Sequence, residues 1–387
     1  MIETQTSAGS STLILLPHPS RLDIMGVMRL NYPARYWHPT RKKNGAEAIV
    51  CTCCPRECVL EDGQRGFCFS RLNQGGQLDL AAYGRVIGLC ADPIEKKPLN
   101  HFLPGSGVLS FGTAGCNLGC KFCQNWSMTK ARDDARASRG TSPETIAMLA
   151  RESGCASVAF TYNDPTIFVE YAIDCAQACR EAGIKTVAVT AGFINSEARA
   201  DFYAHLDAVN VDLKAFSDQF YRGVCLGGRL DNVLETLRYL RTETEAWFEV
   251  TTLLIPGEND SDRELTAQTE WIMQNLGDRV PIHFTAFHPD WKMLDRQATP
   301  HETLLRARAI ALRAGLKYVY VGNVHDRAAG STYCPACSGL LIERDGYQMG
   351  RYQLEGNRCA SCGATVDGVF SPAGLGEFGP RRFPLAI

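Results

Sequence analysis

From about residue 106 onward the chain alternates between continuous apolar, β-rich runs and amphipathic stretches. "GVLSFGTAG" is followed by "SPETIAMLARESG", "SVAFTYNDP" by "TIFVEYAIDCAQACREAG", and "KTVAVTAGF" by the helix-like "SEARADFYAHL". The alternation continues through "DAVNVDLKAF", "RLDNVLETLRYLRTE", "WFEVTTLLIPGEND", "DRELTAQTEWIMQNLG", "PIHFTAFHPDW", "ETLLRARAIALRAG" and "KYVYVGNVH". Strands that are apolar throughout, separated by helices, predict a parallel sheet covered by helices. Six or seven such units over roughly 220 residues predict an α/β fold, a full or partial TIM-like (β/α) barrel. The helix near Ser142 has Pro143 in its first turn and Glu144 next to it, a sound start signal.

The earlier part of the chain reads differently. Residues 1–47 are expected to be a poorly organised extension, with "HPTRKKNG" a solvated basic loop. Residues 48–105 are rich in Cys, Gly and Pro and form a small Cys-rich cap with short strands such as "LDLAAYGRV". The barrel is expected over 106–325 and a separate module over 326–387.

Composition adds only exclusions. With 45% apolar and 21% charged residues and a net charge of −2, nothing indicates a global basic field for nucleic acid. No apolar run reaches membrane-spanning length. "STLILLPHPSRLDIMGVM" is interrupted by Pro, His, Arg and Asp and reads as an extension, not a signal peptide. The expectation is a cytoplasmic protein without a membrane partner. In such a compartment its 17 clustered cysteines suit metal ligation better than disulfides.

In a barrel, chemistry belongs at the C-terminal ends of the strands. Strand one runs into a cysteine loop, and strand two ends at Tyr162-Asn163-Asp164-Pro165. Strand three ends at Thr190-Ala191-Gly192, strand four at Asp212-Leu213-Lys214, and strand five at Pro256-Gly257. Strand six ends between His283 and His288, and strand seven near Gly322-Asn323.

The loop after strand one, "SFGTAGCNLGCKFCQNWSM", sets Cys116, Cys120 and Cys123 in a C-x3-C-x2-C spacing. Three thiolates can hold three irons of a [4Fe–4S] cluster and leave the fourth open to a small molecule. The plainer alternatives are a zinc knuckle short of a ligand or buried structural thiols. With Phe122 just before the last cysteine, the loop resembles that of the radical S-adenosylmethionine (SAM) enzymes. That resemblance implies SAM bound at the open iron and reductive cleavage to a 5′-deoxyadenosyl radical that abstracts hydrogen. It also implies a low-potential electron donor of flavodoxin or ferredoxin type.

Other strand ends resemble the pyruvate formate-lyase activating enzymes. There a Gly-Gly-Glu engages the methionyl amine; here the matching stretch is Tyr162-Asn163-Asp164, a carboxylate one methylene shorter. Asp212-x-Lys214 resembles the Asp-x-Lys that lies beside the methionyl carboxylate, and Thr190 borders the same site. Asn163, Asp164, Thr190, Asp212 and Lys214 are thus implied as cofactor-placing residues. Taken alone, Asp212 and Lys214 would read as a strand-end ion pair. Over about residues 48–325 the chain is similar to the radical SAM enzyme of the AmmeMemoRadiSam system. The similarity rests on "CPRECVLEDGQRGFCFSR", "DPIEKKPLNHFLPGS", "SFGTAGCNLGCKFCQNWSMTKAR", "AFTYNDPTIFVEYAIDCA", "VDLKAF" and "PIHFTAFHP". AMMECR-type and Memo-type proteins are the partners it implies. A fold and cofactor do not name a substrate.

Two further cysteine groups stand apart. Cys334, Cys337, Cys359 and Cys362 form two C-x2-C pairs around a hairpin-like stretch, the spacing of a zinc ribbon, with an iron–sulfur cluster as the alternative. Cys51, Cys54, Cys58 and Cys68 form C-x2-C-x3-C-x9-C, a metal site of open identity in which Cys53 can replace a neighbour. Cys175 and Cys179 read as buried small apolar residues, as do Cys90, Cys155 and Cys225. His283 and His288 line a pocket or are structural, and Lys96-Lys97 is read as a solvated turn, with contact to an anionic substrate as the alternative. The function expected is SAM-dependent radical chemistry on a macromolecule, RNA or protein. The rivals are a glycyl-radical activase and a non-catalytic metal scaffold.

Overall fold

The computed structural model describes residues 32–132, 137, 138 and 140–385. The stretch read as an extension with no signal peptide falls in residues 1–31 and lies outside the described residues. Seven parallel strands form the main sheet: β1 (Gly107–Gly112), β2 (Cys155–Phe160), β3 (Lys185–Thr190), β4 (Ala208–Asp212), β5 (Trp247–Leu254), β6 (Ile282–Ala286) and β7 (Val319–Gly322). They pair in chain order. Ile87–Pro93 adds antiparallel to β1, and Phe383–Pro384 adds antiparallel to that strand. The order is linear from β7 to Phe383–Pro384, so among the described residues the barrel is partial.

Six helices cover one face: α1 (Pro143–Glu152), α2 (Val169–Glu181), α3 (Ser196–Tyr203), α4 (Leu230–Glu243), α5 (Asp262–Asn275) and α6 (His301–Arg313). Ser142 and Ser261 cap α1 and α5 by accepting from Thr145 and Glu264 backbone N–H groups. Val158, Phe160, Leu109 and Phe111 pack under the helices with Ile146, Phe168 and Tyr171. The opposite face is covered near the strand starts by Ile94, Leu99 and Phe102, which pack on Val108, Ala159, Val187 and Ala208. Burial from both sides explains why β1 is apolar but for the buried Ser110, each buried large side chain contributing about 1.5–3 kcal/mol.

The N-terminal region departs from expectation. Trp37–Arg41, Glu47–Cys51 and Val59–Leu60 form one antiparallel sheet, and Tyr32–Pro33, Gln77–Leu80 and Arg71–Gln74 another. Organised structure therefore begins by Tyr32, ahead of the boundary expected at 47. Of the supposed loop "HPTRKKNG", His38–Arg41 lies in a strand, and only Lys42–Gly45 forms the turn. Trp37–Arg41 is an edge strand, where Pro39 costs no ladder bond. The region is fastened to α2 by the buried Arg71, whose Nη1 and Nη2 donate to Glu170 Oε1 and Oε2 at 3.0 and 2.7 Å.

The last part carries a three-stranded antiparallel sheet (Thr332–Tyr333, Leu340–Asp345, Gln348–Tyr352) and the short hairpin Leu354–Glu355/Arg358–Cys359. The buried Arg344 joins it to the inner face, donating to the Asn100 carbonyl at 2.7 Å. Among the described residues no helix is long and apolar enough to cross a membrane.

Candidate active site and metal centres

The three-cysteine loop leaves the end of β1 under tight constraint. A Cβ on Gly112 would stand 2.5 Å from the Thr161 carbonyl and 2.6 Å from Asn163 Oδ1. At Gly115, with φ +93°, it would stand 1.9 Å from the Cys68 carbonyl. Asn163 then holds the loop: Oδ1 accepts from Thr113 N at 3.2 Å, and Nδ2 donates to Thr113 Oγ1 at 3.1 Å and Gly115 O at 2.9 Å. Asn117 Nδ2 donates to Phe193 O at 2.9 Å, and Lys130 Nζ to Leu118 O at 2.9 Å.

The three sulfurs differ in surroundings. Burial, followed by the Asp164 charge, pushes the Cys116 thiol up to about 12. The neighbouring Cys225 thiol, with Lys214 and Lys130, outweighs burial and lowers the Cys120 thiol below its ordinary value. Cys123 Sγ lies 3.2 Å from Thr129 Oγ1, and burial raises it.

Around these thiols stand the strand-end residues singled out from the sequence. Asp164 caps the turn Pro165–Phe168 by accepting from Thr166 N at 3.0 Å, and accepts from Ala191 N at 2.9 Å. Thr190 Oγ1 shares its proton between both Asp164 oxygens at 3.2 and 3.3 Å. Burial raises the Asp164 carboxyl above its ordinary range. Lys214 Nζ donates to Asp212 Oδ2 at 2.9 Å. Burial works to lower that lysine, but the charges of Asp212 and Cys120 hold it well above its usual value. Asn163 belongs to the loop's own hydrogen bonds, whereas Asp164, Thr190, Asp212 and Lys214 share the strand ends with the thiols. Three soft thiolate donors beside lysine cations fit an anionic iron–sulfur group.

The sequence reading missed the loop after β4. Gly119 N donates to Cys225 O at 2.9 Å and Lys121 N to Val224 O at 3.0 Å, so "GVCLGG" backs directly onto the cysteine loop. Its glycines were the only local signal, and Cys225 is no isolated core residue. Around the same loop lies an aromatic and cationic rim. Trp126 stacks on Trp291 with centroids 4.6 Å apart, Arg56 lies over Phe67 at 3.5 Å, and Trp126, Phe67 and Leu226 are exposed.

Other readings divide. Cys175 and Cys179 are buried in α2, and Cys155 is buried at the start of β2. Cys90 is buried too, but its sulfur accepts from Arg382 Nε at 3.2 Å. Lys96 and Lys97 are not a solvated turn. Their ammonium groups lie 3.2 and 2.8 Å from the buried Asp92, and Lys97 is itself buried, because this turn folds onto the inner face of the sheet. Burial lowers Lys97 to about 8; burial alone would raise Asp92, but Lys97 and Lys96 hold it at about 2. His283 Nε2 pairs with the buried Glu249 at 2.6 Å, a structural role, while His288 is exposed.

The C-terminal cysteines converge. Cys334 Sγ lies 3.6 Å from Cys362 Sγ, and Cys337 Sγ 3.8 Å from Cys359 Sγ. A tetrahedral ion with bonds of about 2.3 Å needs sulfur–sulfur edges of about 3.8 Å. Among the described residues this is the one group of three or more Cys, His, Asp or Glu whose ligand atoms all lie within 4.8 Å of one another. Cys334 and Cys359 pack with Tyr318 and Tyr320, where β7 begins. The four-cysteine group is therefore at the strand starts, the opposite end of the sheet from the three-cysteine loop.

Residues 111–269 match the family model described as the Radical SAM superfamily. An uncharacterized protein of Methanocaldococcus jannaschii, MJ0808, is 40% identical over 321 residues, spanning 82% of this chain and 95% of that one. A GTP 3′,8-cyclase of Limosilactobacillus fermentum is 24% identical over 61% of this chain and 75% of its own length. A pyruvate formate-lyase-activating enzyme of Clostridium pasteurianum is 23% identical over 49% and 83%. With a family match that takes in the cysteine loop and a relative aligned along nearly its whole length, the chain belongs to the radical SAM superfamily.

Proposed function

We propose that the protein cleaves SAM reductively at a [4Fe–4S] cluster held by Cys116, Cys120 and Cys123, and that it acts on a macromolecule, RNA or protein. The observation that carries this reading is the gathering of those thiols with Asp164, Thr190, Asp212 and Lys214 at one end of the parallel sheet. Cluster and SAM together supply one-electron cleavage of the sulfonium and a 5′-deoxyadenosyl radical that removes a hydrogen atom. The chain's residues prepare the place. Asn163 fixes the loop, and Lys214, oriented by Asp212, offers an ammonium to the methionyl carboxylate. Asp164 keeps a buried carboxylate near Cys116, where an amine is to be received, and is itself aligned by Thr190. A one-electron donor of flavodoxin or ferredoxin type supplies the reducing equivalent.

A macromolecular substrate is favoured by the exposed rim of Phe67, Trp126 and Leu226, with Arg56, around the loop. Large amphipathic contacts of this kind suit a partner surface better than a small metabolite. Similarity to the Clostridium pasteurianum activating enzyme supports a second, narrower reading in which the substrate is a glycine of a partner enzyme. At the C-terminal cysteines we assign a structural zinc, because four converged thiolates close the coordination sphere.

The test of substrate class is deoxyadenosine release above background in a lysate of cells carrying the gene, divided into dialysed macromolecules and small-molecule filtrate. Stimulation by the macromolecular fraction alone is expected. Stimulation by the filtrate alone overturns the reading.

A further inference from the structure

The N-terminal cysteines line a small cavity of about 20 Å³, whose walls include Cys51, Cys53, Cys54, Cys58 and Cys68. One of the five is already engaged: Cys53 Sγ donates to the Thr166 carbonyl at 3.2 Å. The other four surround the space. Cys51 N donates to Cys58 O at 3.0 Å, closing the first turn. Two of the sulfurs meet over Gly66, whose Cβ position would lie 3.8 Å from Cys58 Sγ and 3.7 Å from Cys68 Sγ.

An independent observation marks the cavity as a ligand site. Arg71 lines it, is only 2% exposed, and forks onto Glu170 through both terminal nitrogens. Its Nε–H has no partner among the described residues. A buried cationic donor left open is costly unless a ligand accepts from it, and anionic sulfur is such an acceptor.

Two features separate this site from a single-ion site. The C-terminal sulfurs all lie within 4.8 Å of one another, and no second group among the described residues does so. Cys51, Cys54, Cys58 and Cys68 are therefore more widely spread, a spacing that suits thiolates with an inorganic core between them. The site also abuts the three-cysteine loop. Asn117 of that loop forms part of the same wall, Ser70 Oγ donates to Ala114 O at 3.1 Å, and the Cys68 carbonyl is pressed on Gly115.

We infer that Cys51, Cys54, Cys58 and Cys68 hold a second [4Fe–4S] cluster that relays single electrons to the three-cysteine loop. The relay, though not the cluster itself, rests on the radical SAM reading above. One electron enters from a low-potential one-electron donor and one leaves to the neighbouring cluster; no bond is made or broken and no proton moves. Cys58 and the exposed Phe67 share a surface groove on the outer side, where a donor can approach.

The test begins with the full-length chain carrying Cys116→Ala, Cys120→Ala and Cys123→Ala, purified anaerobically. Iron, zinc and acid-labile sulfide are counted, and electron paramagnetic resonance is recorded after dithionite reduction. About half of the wild-type iron and an equal amount of sulfide are expected to remain, with a reduced-cluster signal that SAM does not shift. A second zinc per chain, beyond the one at the C-terminal cysteines, without iron or sulfide, or no iron at all, overturns the assignment. None of these counts requires SAM cleavage, so a wild type that makes no deoxyadenosine sinks the proposed function and leaves this cluster standing. For the relay, Cys54→Ser with Cys58→Ser is expected to lower deoxyadenosine formation at least tenfold with a flavodoxin-type donor, but not with dithionite. An equal loss with both reductants, or no loss with either, overturns it.

Discussion

The Asn163 side-chain amide donates to the Gly115 carbonyl at 2.9 Å, tying the turn after the second parallel strand to the loop after the first. Its Oδ1 and Nδ2 also bond Thr113, so one residue sets the exit of the cysteine loop from the sheet. Asn163→Ala removes these bonds in a buried setting. The expected cost is roughly 2 kcal/mol of stability. Iron retained at the loop is expected to fall by half or more. Denaturant unfolding and iron per chain check both; unchanged iron content would contradict the positioning role.

Lys214 is held by Asp212 at 2.9 Å beside the Cys120 sulfur. Lys214→Met removes the cation offered to a carboxylate and leaves Asp212 unpaired. Loss of one charge-assisted bond predicts SAM binding weakened about 10- to 100-fold. Equilibrium binding to the anaerobically loaded protein measures it. An unchanged Kd would mean that the pair is only a strand-end contact.

His101 is fully buried, with Nδ1 2.6 Å from the Asp367 carbonyl and Nε2 on the Tyr320 hydroxyl. Burial lowers its pKa from 6.5 to about 4, against the pull of Glu249 and with the help of Arg344 and His283. The sign follows directly. Between those values the unfolded chain binds the proton and the folded chain does not, so this contribution is complete above pH 6.5 and is lost as pH falls toward 4. Between pH 7 and pH 5 the loss is roughly 2 kcal/mol. His101→Gln is expected to flatten this part of the stability–pH profile measured by urea unfolding; an unaltered slope would contradict it.

Cys337 and Cys362 are the exposed members of the C-terminal group. Replacing both by Ser is expected to remove one zinc per chain and no sulfide. The module should loosen, with a fall in the thermal midpoint. Deoxyadenosine formation should change less than about threefold, because the group lies at the stability face of the sheet, away from the strand ends that carry chemistry. A parallel loss of sulfide would mean a cluster and not an ion.

Much of this arrangement is legible in the sequence, for a physical reason. Parallel strands buried on both faces are predominantly apolar, so "GVLSFG" and "CASVAF" announce themselves, and the polar residues that follow them mark the strand ends. The three-cysteine loop and the hairpin between the two C-terminal pairs are local in sequence and legible for the same reason.

What escaped is non-local. Ile87–Pro93 reads as part of a separate cap, but its partners are β1 and the two-residue strand Phe383–Pro384. Lys96-Lys97 reads as solvated because nothing nearby in sequence shows that Asp92 is buried beneath it. Cys225 is buried in the core as it reads, but its nearness to Cys120, on another loop, does not show in the sequence. His38–Arg41 reads as a basic loop, since an edge strand tolerates Pro39 and charge that a central strand would refuse.

The measurement that tests the central claim most directly is deoxyadenosine formation from SAM by the anaerobically reconstituted, dithionite-reduced protein. The wild type is compared with the chain carrying Cys116→Ala, Cys120→Ala and Cys123→Ala. The account predicts product from the wild type, in the presence of the macromolecular fraction, and none from the variant. Equal product from both, or none from a wild type with a full complement of iron and sulfide, would contradict it.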